Sequence, residues 1–203
     1  MTAKLSATDL TLFRGERCLF SALSFALNPG ELLLLEGQNG SGKTSLMRAI
    51  AGLLEFESGE VYWEGNPVRE FRQAFHGEMI WVAHRTGLKL DLTLVENLGF
   101  EGKLRAPSHA DFDDVLERLE IQRLKRLPVR SLSAGQQRRV ALARMLLSEA
   151  QLWLMDEPVT NLDRDGRRLV VQLVNEHLGR GGMCIMAAHQ DIEIEGTLRR
   201  VQL

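Results

Sequence analysis

"LLLLEGQNGSGKTSLMRAIAGLL", residues 32–54, passes from a continuous apolar run through a glycine-rich turn into a helix-forming stretch. A short apolar run bounded by a turn predicts a strand buried on both faces. Gly37–Thr44 matches the eight-residue phosphate-loop pattern, and the strand before it and helix after it are the context that gives that pattern meaning. The glycines Gly37, Gly40 and Gly42 let the backbone curl, so that N–H groups along Gln38, Asn39 and Ser41 face the β- and γ-phosphates of ATP. The helix that follows presents its positive end to the same anion. Lys43 adds a mobile positive charge, and the Thr44 hydroxyl can ligate Mg²⁺.

Two similar apolar runs come later, "LWLM" (152–155) and "MCIMAA" (183–188). The first is followed by Asp156 and Glu157, the second by His189. In open α/β sheets ligands collect beyond the carboxyl ends of the strands, so three such strands predict one shared site. Asp156 is placed to hold Mg²⁺ beside the phosphate loop. Glu157, one residue on, is placed to polarise a water for attack on the γ-phosphate. His189 is expected to contact the γ-phosphate or that water, because a neutral imidazole both donates and accepts. The expected catalytic group is Glu157, His189 and Lys43.

The remaining segments differ in character. Residues 5–28 alternate loosely and end in the turn "NPGE", which predicts antiparallel strands on one side of the core. Residues from about 85 to 147 are helix-prone, with a capping box at Thr93 and Glu96. The fold expected is α/β: a mostly parallel core sheet, an antiparallel β subdomain and a helical subdomain inserted in a single domain of residues 1–203. The net charge of −2 gives no basic footprint, so nucleic acid is not an expected partner. Arg138 and Arg139 are read as a solvated helix face. No apolar run approaches the 18 or so residues a membrane span needs, and "MTAKLSATDL" has no signal-like apolar region. Cys18 and Cys184 stand in apolar settings and are expected to be buried free thiols in a reducing compartment. His76, His109 and His177 sit in polar segments and are expected to be solvated.

"LSAGQQRRVALAR" (132–144) opens a second helix with the box Ser133–Gln136. A helix start with Ser133 and the Gly135 amide exposed can bind an anion. If the first loop cradles this chain's own ATP, this second site suits an ATP held by another subunit. Here the chain resembles the ATP-binding-cassette (ABC) ATPases, whose signature motif is of the LSGGQ type, with Ala134 in place of the first glycine. Gly37–Thr44 is similar to that family's Walker A loop, "LWLMDEP" to its Walker B strand and "TNLDRDG" to its D-loop. His189 resembles the switch histidine. The resemblance implies a P-loop NTPase of ABC type that pairs head to tail with a second copy, so that Ser133, Gly135 and Gln136 close over the partner's ATP.

Longer stretches, "GEVYWEGNPV" and "MIWVAHRTGLKLDLTLVENL" among them, resemble the ATPase subunits of cytochrome c maturation transporters. That likeness implies an integral membrane subunit of the CcmB type as partner, further cytochrome c maturation subunits beside it, and a peripheral position on the cytoplasmic face of the bacterial inner membrane. It implies coupling of ATP hydrolysis either to haem export or to release of a haem-loaded chaperone. Direct haem binding is not expected, since no C-x-x-C-H motif occurs. His84 takes the place of the usual Q-loop glutamine and with it that loop's metal-sensing position. Either Phe13 or Arg14 is placed to stack on adenine, the latter by cation–π attraction. The segment 84–97, with Leu88, Leu90 and Leu92, is the expected docking surface for the membrane partner. An ABC ATPase serving another substrate is the alternative. A soluble mechanical ATPase would need coiled-coil insertions or a second cassette, and a non-hydrolysing regulatory module would lack Glu157.

Overall fold

An unbroken apolar run in a strand is stable only where both faces are covered, and Leu32–Leu35 of β3 (Glu31–Glu36) show how this chain covers them. In the computed structural model, which describes residues 3–102, 111–188 and 193–203, Leu32–Leu35 are each 3% exposed or less. Successive side chains of a strand point to opposite faces. Leu32 and Leu34 accordingly enter one core and Leu33 and Leu35 the other. Each buried leucine contributes about 1.5–3 kcal/mol relative to exposure, so a polar residue on either face would be strongly destabilising.

The sheet around β3 is parallel at every described pairing, in the order β6 (Met79–Val82), β7 (Leu152–Asp156), β8 (Met183–Ala187), β3 and β9 (Thr197–Gln202). The three strands expected to share a site, β7, β8 and β3, are adjacent at its centre. A second, antiparallel sheet runs β2 (Arg17–Leu27), β1 (Leu5–Arg14), β4 (Ser58–Trp63), β5 (Asn66–Pro67). It packs Leu5, Leu10, Leu27 and Trp63 with Leu33, Leu35 and Ile185 and with Leu46, Met47 and Ile50 of helix α1 (Lys43–Ile50). A short helix, α2 (Arg72–Glu78), leads into β6.

Between β6 and β7 the chain forms α3 (Leu94–Gly102), α4 (Phe112–Arg118) and α5 (Ala134–Leu146). The Thr93–Glu96 box is formed, with Thr93 N donating to Glu96 at 2.8 Å and Glu96 N donating to Thr93 Oγ1 at 3.2 Å. Helix α6 (Arg164–Gly179) makes the crossover from β7 to β8 that a parallel pair requires. These helices cover the other face of the sheet, with Leu94, Leu98, Leu116, Leu142, Val170 and Val174 in one core with Leu32, Met155 and Met186.

Two expectations are corrected. Cys184 is buried, but Cys18 is exposed, because β2 is the edge strand of its sheet and Cys18 lies where that strand is open to solvent. His177 is not simply solvated. Its ring stacks on Trp153 at 3.9 Å and 8°, and its Nε2 lies 3.2 Å from the carbonyls of both Gln151 and Met183. Burial pushes its pKa down to about 4. His76 is exposed, with Nε2 3.0 Å from the Ala51 carbonyl, and His109 lies outside the described residues.

Candidate functional site

The turn from β3 into α1 builds the loop. Gly42 takes the cap position at φ 116, a left-handed conformation that strains any side chain, and a Cβ there would stand 3.2 Å from Leu19. No side chain caps α1 and no acidic residue occupies its first turn, so its N-terminal amides are left for an anion. Lys43 is 7% exposed and donates to the carbonyls of Gly37 at 2.7 Å and Gln38 at 3.1 Å. Ser41 N donates to the Gln38 carbonyl, while Ser41 Oγ is buried without a hydrogen-bond partner among the described residues. A buried, unpartnered hydroxyl in a phosphate-type loop is one that a ligand can satisfy.

The end of β7 comes to meet this loop. Thr44 Oγ1 donates to Asp156 Oδ2 at 2.8 Å, and Asp156 is 2% exposed. Glu157 follows at φ 51, its N–H donating to Ala187 O on β8 at 2.9 Å. Thr160 Oγ1 donates to its carboxylate at 3.3 Å, and His84 Nε2 lies 3.8 Å from Glu157 Oε2. A cleft of about 230 Å³ is lined by Arg14, Leu19, Asn39, Gly40, Gly42, Lys43, Thr44, Ser45 and Glu157. Arg14 thus faces the loop, whereas Phe13 is exposed on the hairpin and does not line the cleft. His84 meets Glu157 rather than the Thr44–Asp156 pair. His189 lies outside the described residues. Larger clefts flank α6, but they contain none of the phosphate-loop residues.

The second helix start is a closed capping box. Ser133 N donates to Gln136 Oε1 at 2.9 Å, and Gln136 N donates to Ser133 Oγ at 3.2 Å. The N-terminus is therefore less open than the sequence suggested, although an accepting hydroxyl still has its own proton to donate. Gly135 packs so close that a Cβ would stand 3.0 Å from the Asn161 carbonyl. Ser133, Gly135 and Gln136 do not line the cleft around their own chain's phosphate loop.

One residue read as surface belongs to the site. Arg138 is 3% exposed, and its guanidinium donates to the carbonyls of Ala83, Asp156, Glu157 and Pro158 at 2.6–3.0 Å. Burial lowers its pKa to about 10 against the opposing pull of Asp156 and Glu157, so it stays charged at neutral pH. The signal was present in the helical spacing. Positions 138, 141, 142 and 145 share one face of α5, and Ala141, Leu142 and Met145 are core residues.

The family described as ABC transporter matches residues 20–160. The chain is 43% identical to "Cytochrome c biogenesis ATP-binding export protein CcmA" of Methylococcus capsulatus over 203 residues, covering 99% of this chain and 98% of that relative. It is 41% identical to the Escherichia coli K12 protein of the same name over 205 residues, covering 98% and 96%. Among solved structures, an ATP-binding subunit of an ABC transporter superposes with a TM-score of 0.84 at 23% identity, over 92% of this chain and 80% of that one. A putative ABC transporter ATP-binding protein of Pyrococcus furiosus superposes with a TM-score of 0.83 at 24% identity, over 97% and 96%. Both structural likenesses concern the fold.

Proposed function

The chain belongs to the ABC transporter family and, within it, to the cytochrome c biogenesis ATP-binding export proteins named CcmA, and from that premise we propose that it is the ATP-hydrolysing subunit of a cytochrome c biogenesis exporter. It couples ATP binding and hydrolysis to haem export or to release of a haem-loaded chaperone. The observation that carries the chemistry is the 2.8 Å hydrogen bond from Thr44 to Asp156, which joins the loop after β3 to the end of β7.

Lys43, held at the centre of the loop by two carbonyls, supplies the cation for the β- and γ-phosphates, while the amides at the start of α1 and the Ser41 hydroxyl take phosphate oxygens. Thr44 and Asp156 offer hard oxygen donors of the kind Mg²⁺ takes together with phosphate oxygens and water. When bound, the ion would supply positive charge against the phosphate oxygens. Glu157 orients the attacking water and takes its proton, and Thr160 and His84 set the direction of its carboxylate. His189 completes the group at the γ-phosphate or the attacking water. Arg14, which lines the cleft, stacks on adenine in preference to Phe13.

A second copy binds head to tail, its Ser133, Gly135 and Gln136 closing over this chain's ATP. That these residues stand away from their own chain's cleft supports an intermolecular role. The whole chain acts as one nucleotide-binding domain on the cytoplasmic face of the inner membrane, with the helical part at about 85–147. The segment 84–97 docks an integral membrane subunit of the CcmB type, and the chain itself does not bind haem.

Replacing the cellular copy with Glu157→Gln tests this reading. Haem-stained c-type cytochromes should disappear, and the purified variant should bind ATP while turning over about 10²–10⁴ times more slowly, the range for loss of a general base. Normal holocytochrome levels with hydrolysis abolished would count against the assigned pathway.

A further inference from the structure

Asp156 and Glu157 can act on a nucleotide only if the backbone that carries them is held. Glu157 sits in the left-handed region at φ 51, and Asn161 follows at φ 64. A residue with a Cβ in that region is disfavoured by on the order of 1–2 kcal/mol, and such a conformation persists only where its surroundings over-determine it. Three groups hold the Glu157 backbone, the first being Thr160, whose N–H donates to the Glu157 carbonyl at 3.2 Å. The Glu157 N–H donates to Ala187 O at 2.9 Å, and the same Glu157 carbonyl also accepts from Arg138 Nη2 at 2.6 Å, the shorter of its two bonds.

The same guanidinium reaches three other carbonyls. Nη2 donates to Asp156 O at 2.9 Å, Nε to Pro158 O at 3.0 Å and Nη1 to Ala83 O at 2.7 Å. Three of the four acceptors are consecutive, and the fourth immediately precedes His84. A planar fork of fixed donors matches such a set, whereas a point-like ammonium cannot. Burying a guanidinium among Ala141, Leu142 and Met145 is costly unless its donors are satisfied, so the side chain and the four carbonyls hold one another in place. Arg138 also stands five residues from Ser133 on one continuous helix. The helix end at Ser133 and the backbone of this chain's own Glu157 are therefore joined through α5 and the Arg138 guanidinium.

We propose that Arg138 is a positioning residue for ATP hydrolysis, a clamp from α5 that fixes the peptides of Asp156, Glu157 and Pro158 together with the peptide preceding His84, and so aims the Glu157 carboxylate. The proposal rests on the reading of Glu157 as the hydrolytic carboxylate. Arg138 donates to backbone and touches no reacting atom, so its loss should lower kcat and leave nucleotide binding in place.

The test compares steady-state ATPase rates and calorimetric ATP affinity for the full chain and for Arg138→Lys, Arg138→Met, Glu157→Gln and the double variant Arg138→Met/Glu157→Gln. With Arg138→Lys and Arg138→Met, kcat should fall on the order of 10²-fold, the effect of roughly 1 Å of misplacement. KM and Kd for ATP should stay within about threefold of the wild-type values, since those contacts lie on the loop after β3. Arg138→Met should add little to the loss already caused by Glu157→Gln, because two groups acting through one step are not additive. Wild-type kcat in folded Arg138→Lys would overturn the clamp, as would a further 10²-fold loss in the double variant. Should Arg138→Met not fold, Arg138→Lys alone carries the test, since it keeps the charge and removes the fork. Wild-type turnover in Glu157→Gln would instead remove the reading of Glu157, and the clamp with it.

Discussion

Lys43 holds its ammonium between two carbonyls of its own loop, nearly out of contact with solvent. Those bonds to Gly37 and Gln38 shape the loop before any phosphate arrives, so Lys43→Ala removes both the loop's brace and the ligand's counter-charge. A charged hydrogen bond is worth about 1.5–3 kcal/mol, so ATP affinity measured by calorimetry should fall on the order of 100-fold. Unchanged affinity would count against the phosphate-loop reading. His177 makes a different kind of prediction. Its folded pKa of about 4 lies below the ordinary 6.5, chiefly because burial against Trp153 disfavours the charged ring. Above pH 6.5 neither folded nor unfolded chain carries the proton, and stability does not depend on this group. Between pH 6.5 and 4 the unfolded chain binds the proton first, so stability falls as pH falls, by on the order of 3 kcal/mol across the window. Urea titrations of His177→Gln, which retains a hydrogen-bond donor and does not titrate, should lack this component. An identical pH slope in wild type and variant would show that the ring already titrates normally in the folded chain.

Single elements show why some parts of the fold were legible and others were not. β3, β7 and β8 could be read because each is an unbroken apolar run ending in polar residues suited to chemistry, a pattern that only doubly covered strands sustain. β6 has four residues, too few to establish a period, and β9 carries Arg199 and Arg200 at the sheet's edge, where polarity is tolerated. Both were missed as strands. The capping boxes at Thr93 and Ser133 were legible because side chain and backbone satisfy each other at fixed spacing. Arg138 was hidden by Arg139, whose neighbouring charge made the pair look like solvated surface. Arg139 is not a solvated residue either: its side chain is 14% exposed, donates to Leu119 O at 3.0 Å and pairs with Glu120. The start of α5 gives the element-scale prediction. Ser133→Arg removes a cap worth about 1 kcal/mol and puts a cation at the helix's positive end. Hydrolysis should fail while ATP still binds the same chain's loop. Mixing this variant with Lys43→Ala should restore some turnover, because one of the two composite sites in a mixed pair is then intact. Loss of ATP binding in Ser133→Arg alone would mean that both motifs serve a single site within one chain.

Across the whole molecule, the segment 84–97, proposed to dock a membrane subunit, divides its leucines. Leu88 packs against the helical core, while Leu90 is 52% exposed, in a region that also exposes Val95, Phe100 and Leu127. Leu90→Glu should leave the urea midpoint within about 0.5 kcal/mol of wild type, as for other surface substitutions. ATP affinity should be retained and membrane association lost, as read by fractionation of cell extracts. Full ATP-dependent coupling in membranes would place the docking surface elsewhere. No helix among the described residues is long and apolar enough to cross a membrane. The contrast between the two cysteines reaches furthest. Cys18 is open to solvent at a sheet edge, while Cys184 is sealed in β8, the strand between β7 and β3, and burial raises the pKa of its thiol. Only the thiolate attacks an alkylating reagent. The second labelling event therefore waits for the central sheet to come apart, and its rate is a clock for that opening. Added ATP, by favouring the closed chain, should slow this clock in proportion to its occupancy.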